Sequence, residues 1–251
     1  NNATISVTDQ RTLLLKEMST WTGNYSTPTG EAYAEVAAYM LGTTTMSWYS
    51  CGSSGNSNKS NCTTSLTSAP SLTGYIKETS SNDTYYYSVT GSNKKYYYKF
   101  GAPSGSGFSY SVSTSKNDSQ TAYASPLTTD NAECSGQGIY LLTDGEPNGA
   151  SNSVVQTLMQ NALTSSYSSN LTCSGTLFNG TGARYTGNGW NCISDLSQLL
   201  LNRSIDGTTS TSQLNPKNLV IKTAVVGFGS DFNGLTSYNS ALSQAQNLAN
   251  I

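Results

Sequence analysis

The chain has 251 residues, a net charge of −2 and only 10% charged residues. That length holds one large domain or two small ones and a real core, while twelve Lys and Arg, thinly spread, do not supply the clustered charge that nucleic-acid binding by counterion release requires. No histidine is present, which excludes Ser-His-Asp and Cys-His catalysis, His-ligated zinc and histidine pH switching by this chain.

The first forty residues read as two helices. The run from Thr8 to Met18 carries Leu13, Leu14 and Leu15 among good helix formers. After a loop at Trp21–Asn24, Thr27 is placed as an N-cap and Pro28 as the first helical residue. Tyr33, Val36, Ala37, Met40 and Leu41 then fall at i, i+3, i+4, i+7 and i+8, one apolar face. From about residue 43 to 132 Gly, Ser, Asn and Thr dominate and helical periodicity disappears. Two tyrosine-rich runs flank Gly91-Ser92-Asn93, which predicts a β-hairpin. Alternation at Phe108, Tyr110 and Val112 predicts a further strand. The tyrosines suit cross-strand packing or a contact surface equally.

An α/β pattern follows. Gly138–Thr143 is a short continuous apolar run, as for a strand buried on both faces. It ends in a turn, Asp144–Gly149. A helix is expected over about 151–163, with Val154, Val155, Leu158, Met159 and Ala162 on one side. A loop-rich stretch leads to a short helix with Ile193, Leu196, Leu199 and Leu200. A second buried strand is expected over 219–226 and a last helix over about 235–249. This order implies a parallel sheet covered by helices. Ligands of such sheets bind at the carboxyl ends of strands, where Asp144 lies. Asp-Gly is also a common turn pair, so a turn role for Asp144 stands beside a binding role.

Five cysteines in a chain rich in Ser, Thr, Asn, Gly and Tyr suggest a secreted or surface protein with disulfides. Cys51 and Cys62 bracket one Gly/Ser/Asn loop and Cys173 and Cys192 another, with Cys134 unassigned; five free thiols are the alternative. No run of eighteen apolar residues predicts a membrane span. The chain begins at Asn1 with neither an initiator Met nor a leader-like run, which reads as a mature product or an excised fragment. No nucleophile elbow or phosphate loop occurs, and the expectation is a protein that is not an enzyme.

The segments around Thr27-Pro28, Asp144-Gly-Glu-Pro and Lys222–Gly229 resemble the von Willebrand factor A domain. The resemblance implies a Rossmann-type parallel sheet flanked by helices over 1–42 and 133–251, with 43–132 as a Tyr/Ser/Gly-rich β insertion. It further implies a metal-ion-dependent adhesion site in which Thr27 and Asp144 hold a divalent cation (Mg, Ca or Mn), Asp144 through water. Oxygen ligands suit such hard cations. The family's Asp-x-Ser-x-Ser motif does not occur in the chain. With Cys134 before the strand and Trp190-Asn191-Cys192 before the Leu-rich helix, the pattern is also similar to the PilC/PilY family of type IV pilus tip-associated adhesins. That resemblance implies an adhesion module at the bacterial cell surface, pilus tip or outer membrane. Its expected partners are a host-cell or surface ligand, minor pilins, or a downstream propeller domain of the same protein. A structural role in pilus-tip assembly with a vestigial metal site is the alternative it leaves.

Overall fold

The computed structural model describes residues 6–18, 27–127, 137–143, 149–173 and 189–227. Helix α1 spans Val7–Met18. Ser6 caps it: its Oγ accepts from the Asp9 N–H at 3.1 Å and lies 2.7 Å from the Asp9 carboxylate. Helix α2 spans Thr29–Leu41. Pro28, with φ −78°, occupies the cap position and no side chain caps the helix, so Thr27 lies one residue before the cap expected of it. Gly42 ends α2 in the left-handed conformation, φ 69°. A side chain there would be strained and would also meet the Ser125 Cβ at 2.9 Å. Tyr33, Ala34, Ala37, Ala38, Met40 and Leu41 form the buried face of α2, whereas Val36 points outward.

The chain then builds five strands: β1 Ser47–Ser50, β2 Thr64–Leu66, β3 Ile76–Ser80, β4 Asp83–Thr90 and β5 Asn93–Gly101. They form one antiparallel sheet in the order β2-β1-β5-β4-β3. The β4–β5 hairpin turns at Gly91–Ser92, and Gly91 supplies the positive φ that tight hairpin turns demand. The expected strand at Phe108–Val112 is absent. Phe108–Tyr110 and Ser113–Ser115 are short 3-10 turns that bury Phe108 and leave Tyr110 and Val112 exposed.

Strands β6 (Gln137–Thr143) and β7 (Ile221–Gly227) pair in parallel, from Gln137 opposite Ile221 to Thr143 opposite Gly227. Helices α3 (Asn152–Leu163) and α4 (Trp190–Leu200) lie between them in sequence. This two-stranded pair is the whole of the parallel pairing among the described residues. The main sheet is antiparallel, so the von Willebrand factor A-like, Rossmann-type parallel fold is not what the chain adopts. The resemblance to that domain and to PilC/PilY adhesins is corrected accordingly. The error has a physical source. The strand–helix–helix–strand order of 137–227 implies the main, parallel sheet, but it yields only two paired strands, and the polar block expected as a small insertion builds the larger, antiparallel sheet. Strand β6 is also not buried on both faces. Ile139 and Thr143 are buried, but Tyr140 is 66% and Leu142 53% exposed.

Helix α2 packs against β6 and α4 against β7, and α3 packs against both helices, in one core with Tyr33, Leu158, Met159, Ile193, Leu196 and Ile221. Gly30 permits the approach of α2 to α3, since a Cβ there would come 2.9 Å from the Val155 methyls. Buried Asn215 closes the end of α4: its Nδ2 donates to the Leu199 carbonyl at 3.1 Å and the Leu219 carbonyl at 3.0 Å, and it satisfies an orphan helix carbonyl. A second cluster joins α2 and α3 to the antiparallel sheet through Ala38, Ala162, Met46, Tyr86, Phe100 and Tyr123. The sheet's opposite face carries Tyr85, Tyr87 and Tyr96, packed on the Cys51–Cys62 disulfide. Lys59, in the loop this disulfide closes, lies over the Tyr85 and Tyr96 rings and pairs with Glu78. Hydrogen bonds from Lys59 and Lys94 hold the Glu78 carboxyl well below its ordinary range, at about 2. The second disulfide joins Cys173 to Cys192; Cys134 lies outside the described residues. Among the described residues, no helix is long and apolar enough to cross a membrane.

Candidate functional site

Thr27 is partly buried at the entrance to α2, and its carbonyl accepts from the Thr29 N–H at 2.8 Å. Asp144 lies outside the described residues. Gly149 packs against the start of α2: a Cβ on it would come 2.7 Å from the Pro28 Cα. Among the described residues no group of three or more His, Cys, Asp or Glu is placed to hold a metal ion. The metal site and pilus association implied by the parallel fold lose that support, whereas the expected disulfides form.

The tyrosine runs go mainly into packing. Tyr85, Tyr86 and Tyr96 are buried, and Tyr87, Tyr97 and Tyr98 are half-buried. Edge-to-face pairs such as Tyr85–Tyr96 and Tyr75–Tyr98 use their rings inside the sheet's own layers. Burial pushes the Tyr86 hydroxyl above its ordinary value. The sheet therefore does not present an open tyrosine face.

What the fold does present is a cleft at the seam between the antiparallel sheet and α3, with a volume of about 400 Å³. That lies within the range of small-molecule sites. Trp48 and Phe100, cross-strand partners on β1 and β5, give it an aromatic base. Trp48 is partly buried, and its ring is fixed by Phe100 at 4.8 Å and Tyr86 at 5.5 Å between centroids. One wall is the segment Ser65–Ala69, following and including the end of β2. The other is the last turns of α3 and the residues after it. Most of the lining residues are Ser, Thr, Asn or Gln, beside Met46, Trp48, Leu66 and Phe100, and none is ionisable.

Two features distinguish these walls. The first is unused hydrogen-bonding capacity. The hydroxyls of Ser65, Thr67, Ser68 and Ser165 are exposed to solvent and make no hydrogen bond to other described residues. The second is backbone strain. Thr164, which ends α3, holds φ 65° and ψ 166°, a region costly for a β-branched residue. Strain of this kind persists where surrounding structure over-determines it and concentrates at functional sites.

The seam is held from both sides. Asn161 Nδ2 donates to the Thr45 carbonyl at 2.9 Å and to Ser47 Oγ at 2.7 Å. Thr43 Oγ donates to the Ala162 carbonyl at 2.6 Å. Sequence reasoning singled out none of the cleft residues. One signal was there: Thr157, Asn161 and Thr164 recur at i, i+4 and i+7, an uncharged polar stripe on an otherwise amphipathic helix. Trp48 gave none, because its role depends on Phe100 and Tyr86, far away in sequence. No family profile, no curated protein and no solved structure matches the chain.

Proposed function

We propose that this chain is a disulfide-stabilised recognition module that works outside the reducing cytosol. It attaches to a ligand displayed on a cell or other surface, through the cleft between β1–β2 and α3. The observation that carries this reading is the cleft itself: a preformed cavity of about 400 Å³ with a fixed aromatic base and hydroxyls left without partners among the described residues. These hydroxyls are exposed to solvent, so a ligand that hydrogen-bonds them replaces water on groups the fold leaves accessible. Binding rather than turnover is supported by the absence of any ionisable lining residue, since acid–base chemistry needs a group that can hold and release a proton. Two disulfides support an oxidising compartment.

The test is attachment of the fluorescently labelled chain to intact epithelial cells, with Ser68→Trp as a variant that fills the cleft. Saturable binding, competed by unlabelled chain and lost in Ser68→Trp, is expected. Equal attachment by the filled variant would refute the assignment of function to the cleft.

A further inference from the structure

We infer that the ligand of this cleft is a neutral saccharide, with a sugar ring stacked on the Trp48 indole and its hydroxyls bonded to the two polar walls. The inference rests on the recognition role proposed above for the same cleft. A pyranose presents an apolar face of C–H groups and an edge of hydroxyls that both donate and accept. It is matched by an aromatic platform ringed by neutral groups of the same dual character.

The cleft supplies both. Trp48 lies at its base, immobilised by Phe100 and Tyr86, so little side-chain freedom remains to be lost on binding. On one wall Ser65, Thr67 and Ser68 each offer a donor and acceptor lone pairs. On the other wall Thr157 and Asn161 are left to accept, beside the Ser165 hydroxyl, which can do either. Thr157 spends its hydrogen on the Ser153 carbonyl at 2.8 Å. Both Nδ2 hydrogens of Asn161 are spent on Thr45 and Ser47, which leaves its Oδ1 as the acceptor. A ligand whose groups both donate and accept fits between these walls.

Other ligand classes fit less well. A charged ligand finds no counter-charge, because no Lys, Arg, Asp or Glu lines the cleft. A lipid chain would desolvate the wall hydroxyls with nothing to bond them. A cavity of about 400 Å³ is also short for an extended peptide but sufficient for a small oligosaccharide. The strained Thr164 stands in the wall of Thr157 and Asn161, where the backbone turns out of α3.

The test uses the full chain with its disulfides intact. Uncharged oligosaccharides of glucose, galactose, mannose and N-acetylhexosamines are screened on an array, and the best is titrated by calorimetry. Saturable binding is expected, constant within about twofold from low to high salt because no ion pair is involved. Trp48→Ala should weaken it at least about tenfold, and Trp48→Tyr, which keeps a stacking ring, by no more than about threefold. Ser68→Trp leaves the Trp48 packing in place and should abolish binding. Binding by no member of the panel, or binding that survives Ser68→Trp, overturns the saccharide assignment. If Ser68→Trp nevertheless abolishes attachment to cells, the recognition role stands with a different ligand. If attachment also survives Ser68→Trp, both readings fall.

Discussion

Glu35 ties α2 to the block that carries the antiparallel sheet by three hydrogen bonds. Its Oε1 accepts from Thr45 Oγ at 2.6 Å and from the Gly107 N–H at 2.5 Å, and its Oε2 accepts from the Tyr123 hydroxyl at 2.6 Å. Hydrogen bonds to a charged acceptor contribute about 1.5–3 kcal/mol each. Thr45 keeps a second partner in Ser106 at 2.7 Å, so its loss is small. The Gly107 N–H and the Tyr123 hydroxyl carry the cost. Glu35 is only half-buried, which favours the lower end of the range. Glu35→Ala is therefore expected to cost about 3 kcal/mol. Glu35→Gln keeps an acceptor for Thr45 and Gly107 but turns charge-assisted bonds into neutral ones, and should cost about 1–1.5 kcal/mol. Urea denaturation followed by tyrosine and tryptophan fluorescence measures both. Hydrogen exchange should show residues 105–124 opening first in Glu35→Ala. Both variants lying within about 0.5 kcal/mol of the parent, the range of ordinary surface substitutions, would refute the reasoning.

Three further outcomes follow from the same contacts. Tyr33, Tyr85, Tyr86 and Tyr123 carry hydroxyls pushed above the ordinary value of 10.0, chiefly by burial. The fold thus favours their protonated form: their contribution is whole below pH 10 and lost as pH rises beyond it, so the urea midpoint should fall above about pH 10 and a flat midpoint there would contradict this. The Cys51–Cys62 bond closes a span of 11 residues, and Cys51→Ser/Cys62→Ser should lower stability by about 3 kcal/mol in urea titrations. Thr164→Gly removes the Cβ penalty at φ 65° and should raise stability by about 1 kcal/mol while weakening ligand binding; a less stable variant would show that the threonine side chain contributes more than its backbone costs.

The parts legible in the sequence are those where local chemistry decides. Helix α2 declares itself by Pro28 at its start, Gly42 at its end and the apolar stripe between. The β4–β5 hairpin does so by Gly91 between tyrosine runs, and the two disulfides by the loops they close. Strands β1, β2 and β3 were not legible. They are three to five residues long and rich in Ser and Thr, and their pairing partners lie elsewhere in the sequence. The alternation at Phe108–Val112 mimics a strand, but Gly105 at φ 81° and the turns that follow curl the chain instead. The apolar run of β6 states that the strand is wanted in a core; it carries no information about whether one face or two is covered. An apolar run of this length reads the same with one face covered or two, which is why Tyr140 and Leu142 escaped the reading.

The cleft was least legible because no single element contains it. One wall belongs to the sheet block and the other to α3, and the ties that set their distance run between residues roughly a hundred positions apart, from Thr45 and Ser47 to Asn161 and from Thr43 to Ala162. Such a site has a consequence for how mutations act. A change in either wall alters local contacts, whereas a change in a tie alters the spacing of both walls at once. Asn161 is the residue where the two effects meet, since its amide hydrogens hold the sheet and the residue lines the cleft. Stability and ligand affinity should therefore fall together on changing Asn161 or Glu35, yet move in opposite directions at Thr164, where the backbone is strained and the ties are not involved. That opposition separates a cleft built for a ligand from one left over by imperfect packing. In a leftover cleft, relieving the strain would cost nothing in binding, because there would be no binding to lose.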